Sequence, residues 1–128
     1  MPRTLAPVPP LLILVAGPYR SGTGDDPALI AANMRAMNEA ALVLFRRGHL
    51  PVTGEALALP LAETAGSTRL GDAAFDEVFH PVARLLVERC DAVLRIGGAS
   101  AGADEMVEIG RRIGARIFTS PEDVPASV

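Results

Sequence analysis

Six apolar residues in a row, Leu11-Leu12-Ile13-Leu14-Val15-Ala16, empty straight into Gly17-Pro18-Tyr19-Arg20. A loop of Gly, Ser, Thr and Asp follows, and a helix start stands at Asp26-Pro27. There an acid can cap the first turn, and a proline takes the position whose fixed φ suits it. An apolar run without alternation reads as a strand buried on both faces. Such strands belong to open parallel sheets covered by helices, which bind ligands just beyond the carboxyl ends of the strands. The run therefore constrains the layering of the whole chain and marks the loop after residue 16 as the first candidate site.

The remaining elements follow from periodicity. Ile30, Met34, Met37, Ala41 and Leu44 recur at helical spacing, and Gly48 ends that helix after Arg46-Arg47. Residues 49–53 read as a short second strand. Residues 54–70 show no clean period and read as a long loop with one helical turn, a length often tied to function. Phe75, Val78, Phe79, Val82, Leu85 and Leu86 form a second helical stripe, and Pro81 inside it predicts a kink or break near His80. Residues 91–96 are the third strand, 103–114 a third helix and 115–119 a fourth strand. Right-handed crossovers between these elements require a parallel α/β sheet with helices on both faces, most simply in the order 2-1-3-4. One domain over residues 11–120 results, with a disordered proline-rich lead-in at 1–10 and a tail at 121–128.

Composition narrows the function classes. The chain has 128 residues, 49% of them apolar, but only one Tyr and four Phe, so its core is aliphatic. A net charge of −3 gives no electrostatic case for a nucleic-acid polymer or an anionic membrane. The apolar run at residues 11–16 is too short for a signal peptide, and no apolar run approaches the ~20 residues of a membrane span. Cys90 is the single cysteine and closes an apolar stripe, as a buried structural thiol does. It excludes an intrachain disulfide and points to the cytoplasm. His49 and His80 stand at no metal-ligand spacing, so neither a metal nor a cofactor is expected.

Two loops carry the candidate chemistry. Residues 17–23, G-P-Y-R-S-G-T, imitate a phosphate-binding P-loop but have Thr23 where its lysine belongs. No G-x-G-x-x-G dinucleotide fingerprint follows the first strand. What stands is a set of loop amides and Arg20 beside a helix amino terminus, suited to a hydroxyl-rich or anionic ligand. A plain tight turn with a solvated arginine is the alternative. Residues 97–102, G-G-A-S-A-G, form the second loop and lead into Asp104-Glu105-Met106-Val107-Glu108. Acids in a first turn suit the helix dipole, and Glu108 has Arg112 four residues on as a pair partner. A cleft lined by residues 17–20 and 97–104 is the expectation.

Taken together, A-G-P-Y-R at the first strand end, Ile30-Ala31-Ala32-Asn33, Gly48-His49-Leu50-Pro51-Val52, Cys90-Asp91-Ala92-Val93-Leu94-Arg95 and Ser100-Ala101-Gly102-Ala103-Asp104 resemble the nucleoside 2-deoxyribosyltransferase-like superfamily. The nearest branch is the small bacterial proteins with a DUF4406-type domain, and the resemblance spans residues 11–119. It implies a flavodoxin-like fold and cleavage of the N-glycosidic bond of a deoxynucleoside or its monophosphate. It also implies a glutamate nucleophile on the helix after strand three, with an aspartate nearby to assist the leaving base. Gly17, Pro18, Tyr19, Arg20, Asn33, Ser100 and Gly102 are its implied substrate-binding residues. The family's glutamate follows the loop glycine by four positions, which here is Met106, a side chain with no charge to offer. Glu105 lies about 100° and Asp104 about 200° around the helix from that position. Both are candidate catalytic residues, together with Asp76. Asp72, Glu55 and Glu63 are further carboxylates that could face the pocket.

Two functions of different class stay open on these residues. One is a nucleoside or nucleotide N-glycosidase or 2-deoxyribosyltransferase. The other is a module that binds a nucleotide-like ligand and has lost its chemistry at Met106. A cytokinin-type phosphoribohydrolase is more distant, because its P-G-G-x-G-T-x-x-E run is missing. The partner is a small nucleoside or nucleotide. The chain is expected to form a homodimer or higher homo-oligomer, with Phe75, Phe79 and Leu86 as the interface.

Overall fold

A computed structural model describes residues 8–127. Four strands, β1 (Leu12–Ala16), β2 (Leu50–Val52), β3 (Ala92–Arg95) and β4 (Arg116–Phe118), form one parallel sheet in the order β2-β1-β3-β4. Four helices accompany them: α1 (Pro27–Arg46), α2 (Gly54–Thr64), α3 (Ala73–Val87) and α4 (Ala101–Arg112). This is the expected flavodoxin-like α/β arrangement. The chain steps from β1 to β2 in one direction and from β3 to β4 in the other. A right-handed crossover then puts α1 on one face and α3 and α4 on the opposite face.

β1 is central because both of its faces are covered. Ile13 and Val15 pack with Met37 and Leu44 of α1, Leu94 of β3 and Phe118 of β4. Leu14 and Ala16 point the other way, to Val87 of α3 and to Met106 and Ile109 of α4. α1 starts where the sequence places it, the Asp26 side chain accepting from the Ala28 N–H and Pro27 following. By length and composition it is the one helix among the described residues that could cross a membrane. Here its Met37, Ala40 and Leu44 stripe lies on the sheet.

Three expectations change. Residues 54–64 are not loop but the helix α2, capped by Thr53, whose hydroxyl accepts from the Ala56 N–H. Its periodicity is hidden because small residues, Ala58 and Ala62, face inward while Leu57 and Leu61 face solvent. α3 runs through Pro81 as one helix. Phe75 and Val87 are buried on either side of the proline, and that packing outweighs one missing backbone hydrogen bond. The lead-in and tail, as far as they are described, are not free. Val8 bridges Ser127, and Val124 is fully buried in the α1-side core. Residues 1–7 of the expected lead-in lie outside the described residues.

The amino-terminal side of the sheet is tied by side chains at the α1–β2 corner. Arg47 donates through Nε and Nη2 to the Val124 carbonyl at 2.9 and 2.6 Å. Gly48 turns the chain at φ +93°, and a Cβ there would stand 2.7 Å from Cβ of Ser127. His49 is buried, and its Nδ1 accepts from the Leu11 N–H at 3.0 Å. That fixes the neutral tautomer, with Nε2–H donating to the Pro125 carbonyl at 2.6 Å. Replacing His49 by Phe keeps the bulk but leaves two buried backbone groups unpaired. It is expected to lower unfolding free energy by about 2–4 kcal/mol in urea titrations.

Candidate functional site

The direction of strand succession reverses between β1 and β3, so the connections leaving their carboxyl ends diverge to opposite faces. A crevice must open between them. It is occupied by a cavity of about 650 Å³. The end of β1 (Leu14 to Gly17) and Met106 of α4 form its floor, and Tyr19, Arg20, Ser21, Gly24 and Asp25 of the β1–α1 loop form one side. Phe75, Asp76, Phe79, His80 and Ala83 of α3 also line it, with Gly54 and Glu55 of α2, the cap residue Ser100 and residues 101–103 of α4.

Three aromatic rings form one stack. Phe75 and Phe79 stack at 4.6 Å between centroids, and Tyr19 stacks on Phe79 at 5.7 Å. Arg20 lies 5.6 Å over the Phe75 ring, an exposed cation–π arrangement. Its guanidinium is held by Asp25, Nε to Oδ1 at 3.0 Å and Nη2 to Oδ2 at 2.9 Å. Tyr19 is positioned from behind, because Nδ2 of Asn33 donates to its carbonyl at 3.0 Å. Burial, then the Glu55 charge, push the Tyr19 hydroxyl above its ordinary value, so it stays a protonated donor at neutral pH.

Glu55 is the unusual group. It is only 8% exposed, against 38% for the side chain of Arg20 and 50% for that of Asp25. Among the described residues no basic side chain pairs with it; the counter-effect is the N–H of its own backbone at the start of α2. Burial outweighs that N–H and raises its pKa. A largely buried carboxyl without an ionic partner among the described residues, in a cleft, is a functional candidate on physical grounds. Its sequence signal was an acid two residues after the Thr53 cap. Reading residues 54–70 as loop hid that it sits on the inner face of a helix.

The other candidate residues separate into two groups. Gly17, Tyr19, Arg20, Asp76, Ser100 and Gly102 line the cavity. Pro18 does not; it packs over Gly97, and Asn33 acts only through the Tyr19 carbonyl. Residues 97–99, expected in the cleft, are not in its lining. Asp104 is turned outward, 71% exposed and paired with Arg95 at 3.1 Å. Glu105 is also outside the cavity, its Oε1 accepting from Arg84 Nε at 2.6 Å. The reason is helical phase: Met106 and Ala103 carry the buried face of α4, and the preceding acids fall on its flank. Phe75 and Phe79, expected as a subunit interface, form the inner wall of the cavity, with Phe75 3% exposed. Cys90 is buried, and burial with the nearby Asp91 pushes its thiol up to about 11, so it is not a nucleophile at neutral pH. No group of three or more His, Cys, Asp or Glu among the described residues could hold a metal ion.

Asp72 shapes the site from outside it. It caps α3 through the Phe75 N–H and accepts from the Thr68 N–H and the Ser67 hydroxyl. These bonds lower its pKa from 3.8 to about 2. The turn they fix brings Gly71 against the Arg20 guanidinium, 3.0 Å from where a Cβ would stand. The stability supplied by this capping is complete above pH about 4 and is lost as pH falls towards 2. Wild type is therefore expected to exceed Asp72→Asn in thermal stability at neutral pH, and the gap should close on acidification to pH 2. Glu55 shows the opposite linkage. Its pKa is raised in the folded state, so its ionisation opposes folding as pH rises above the ordinary value of 4.5. Glu55→Gln should have a higher Tm than wild type at pH 7 to 8, with the gain vanishing in acid.

No family model matches the chain, and no curated protein matches it either. Among solved structures, the fold is similar to that of a 2-deoxyribosyltransferase from the psychrotolerant bacterium Bacillus psychrosaccharolyticus. The TM-score is 0.57 at 16% identity, covering 83% of this chain and 69% of that one. At that identity the likeness shows a common fold.

Proposed function

We propose that the cavity binds a nucleoside or its monophosphate and cleaves the N-glycosidic bond, releasing the base to water or exchanging it for another. One observation carries the reading: the buried Glu55 carboxyl, without an ionic partner among the described residues, opens into the same cavity as the Tyr19–Phe79–Phe75 stack. Tyr19 and Phe79, the partly exposed rings of that stack, suit the face of a base. A deoxyribosyltransferase built on the same fold supports the choice of substrate.

In this reading the C1′–N bond breaks heterolytically, its electron pair leaving with the base. Glu55, whose pKa burial raises, gives its proton to the departing nitrogen. Positive charge develops at C1′, and the Asp76 carboxylate of α3 stabilises it. Water adds to C1′ and returns a proton to Glu55. The Tyr19 hydroxyl and Ser100 serve the sugar hydroxyls. Asp104 and Glu105 take no part, each being held by an arginine outside the cavity.

A panel of deoxynucleosides and their monophosphates, analysed for free base, tests this. Wild type should release base, and Glu55→Gln should lower kcat by about a hundredfold or more while leaving KM within a few fold. Wild-type turnover unchanged in Glu55→Gln would reject the assignment. One observation favours the second reading, a binding module without chemistry: Met106, only 6% exposed, stands on the cavity floor where the resemblance implies a glutamate. Ligand binding without any base release, together with release gained in Met106→Glu, would select it.

A further inference from the structure

The cavity is electrically lopsided. Its lining holds one arginine, Arg20, against three carboxyl groups, those of Asp25, Glu55 and Asp76. Arg20 is not offered to a ligand as a free cation, because two of its N–H groups already meet both oxygens of Asp25. This is the bidentate geometry that a phosphate would otherwise take. Phe75 lies against the guanidinium and Gly71 crowds its terminal nitrogens, so the side chain is packed as well as paired. The other basic side chain of the lining, His80, meets the Phe79 ring edge-on at 5.4 Å. The amino terminus of α4 adds a partial positive charge, but the Ser100 side chain already caps the Ala103 N–H and Asp104 stands in the first turn.

Asp25 is held in place by more than Arg20. It is the one non-glycine residue with positive φ among the described residues, at 61°. Its N–H donates to the Thr23 hydroxyl oxygen at 3.1 Å, and that hydroxyl donates to the Arg20 carbonyl at 2.5 Å. The loop thus accepts an unfavourable backbone conformation, which only a few residue types tolerate, and sets a carboxylate on its own arginine.

We propose that Asp25 is the specificity-determining residue of the cavity: by neutralising Arg20 it leaves the lining net negative, so the cavity takes the uncharged nucleoside and turns away its 5′-monophosphate. This inference rests on the nucleoside reading above and narrows it. The discrimination is electrostatic, arising from a phosphate dianion placed beside the Asp76 carboxylate while Arg20 is already paired.

Titration calorimetry at low salt with deoxyadenosine, thymidine and their 5′-monophosphates provides the test, on wild type and Asp25→Asn. Asparagine tolerates positive φ, so the loop geometry is kept while the charge is removed. Asp25→Gly serves as the second variant if the first fails to fold. Wild type is expected to bind each nucleoside about tenfold or more tightly than its monophosphate. Asp25→Asn should narrow that gap by about threefold or more, through tighter monophosphate binding. Monophosphates that bind wild type as tightly as the nucleosides would overturn the proposal and leave the nucleoside reading standing. A gap unchanged in both folded Asp25 variants would overturn it too. Failure of all four compounds to bind wild type would reject the nucleoside reading itself, and the role of Asp25 with it.

Discussion

Everything in this fold leans on β1 being buried on both faces. Its five residues take hydrogen bonds from β2 on one edge and β3 on the other, while its side chains divide alternately between two helical layers. Ile13, Leu14 and Val15 are each at most 1% exposed, and full burial of such side chains is worth about 1.5–3 kcal/mol apiece. A strand in that position must be followed by connections to opposite faces, because right-handed crossovers to its left and right neighbours leave no alternative. The cavity is the space those connections leave. Site and core therefore share one cause.

The two ends of the sheet are finished differently. At the amino-terminal end the buried polar groups are matched: His49 bridges Leu11 and Pro125, and Arg47 takes the Val124 carbonyl. At the carboxyl-terminal end, burial and pairing are separated. Arg20 is paired but partly exposed, whereas Glu55 is buried but unpaired. Buried carboxyl groups without partners oppose folding, and a site that retains one gains a group whose pKa stands above the ordinary carboxylate value.

The small size of the residues around Glu55 is part of the same design. Gly54 stands where a Cβ would meet Ala83 at 3.3 Å. Ala58 and Ala62 let α2 lie close to the body of the protein. Close approach brings the start of α2 to the cavity and excludes water from its second residue. Met106 on the floor is apolar and further lowers the local polarity. The environment that raises the Glu55 pKa is thus made by side chains that carry no chemistry.

The apolar run into Gly17, the Asp26-Pro27 start and the glycine-rich break after the third strand were sufficient to give the parallel sheet, its order and the edge where the cavity opens. They are local signals: a doubly buried strand needs an unbroken apolar run, and a helix start needs a cap. Tyr19, Arg20, Ser100 and Gly102 followed, because residues just past strand ends face the crevice whatever the details. Facts that depend on helical phase and on distant neighbours were not legible. An alanine-faced α2 has no strong periodicity, so Glu55 looked like a loop acid, and a shift of 100° separates Glu105 on Arg84 from Met106 in the cavity. The Arg20–Asp25 pair is set by the conformation of its own loop, whereas burial, and with it the raised pKa of Glu55, belongs to the assembled layers, because desolvation is a property of everything packed around a group and of no stretch of sequence alone.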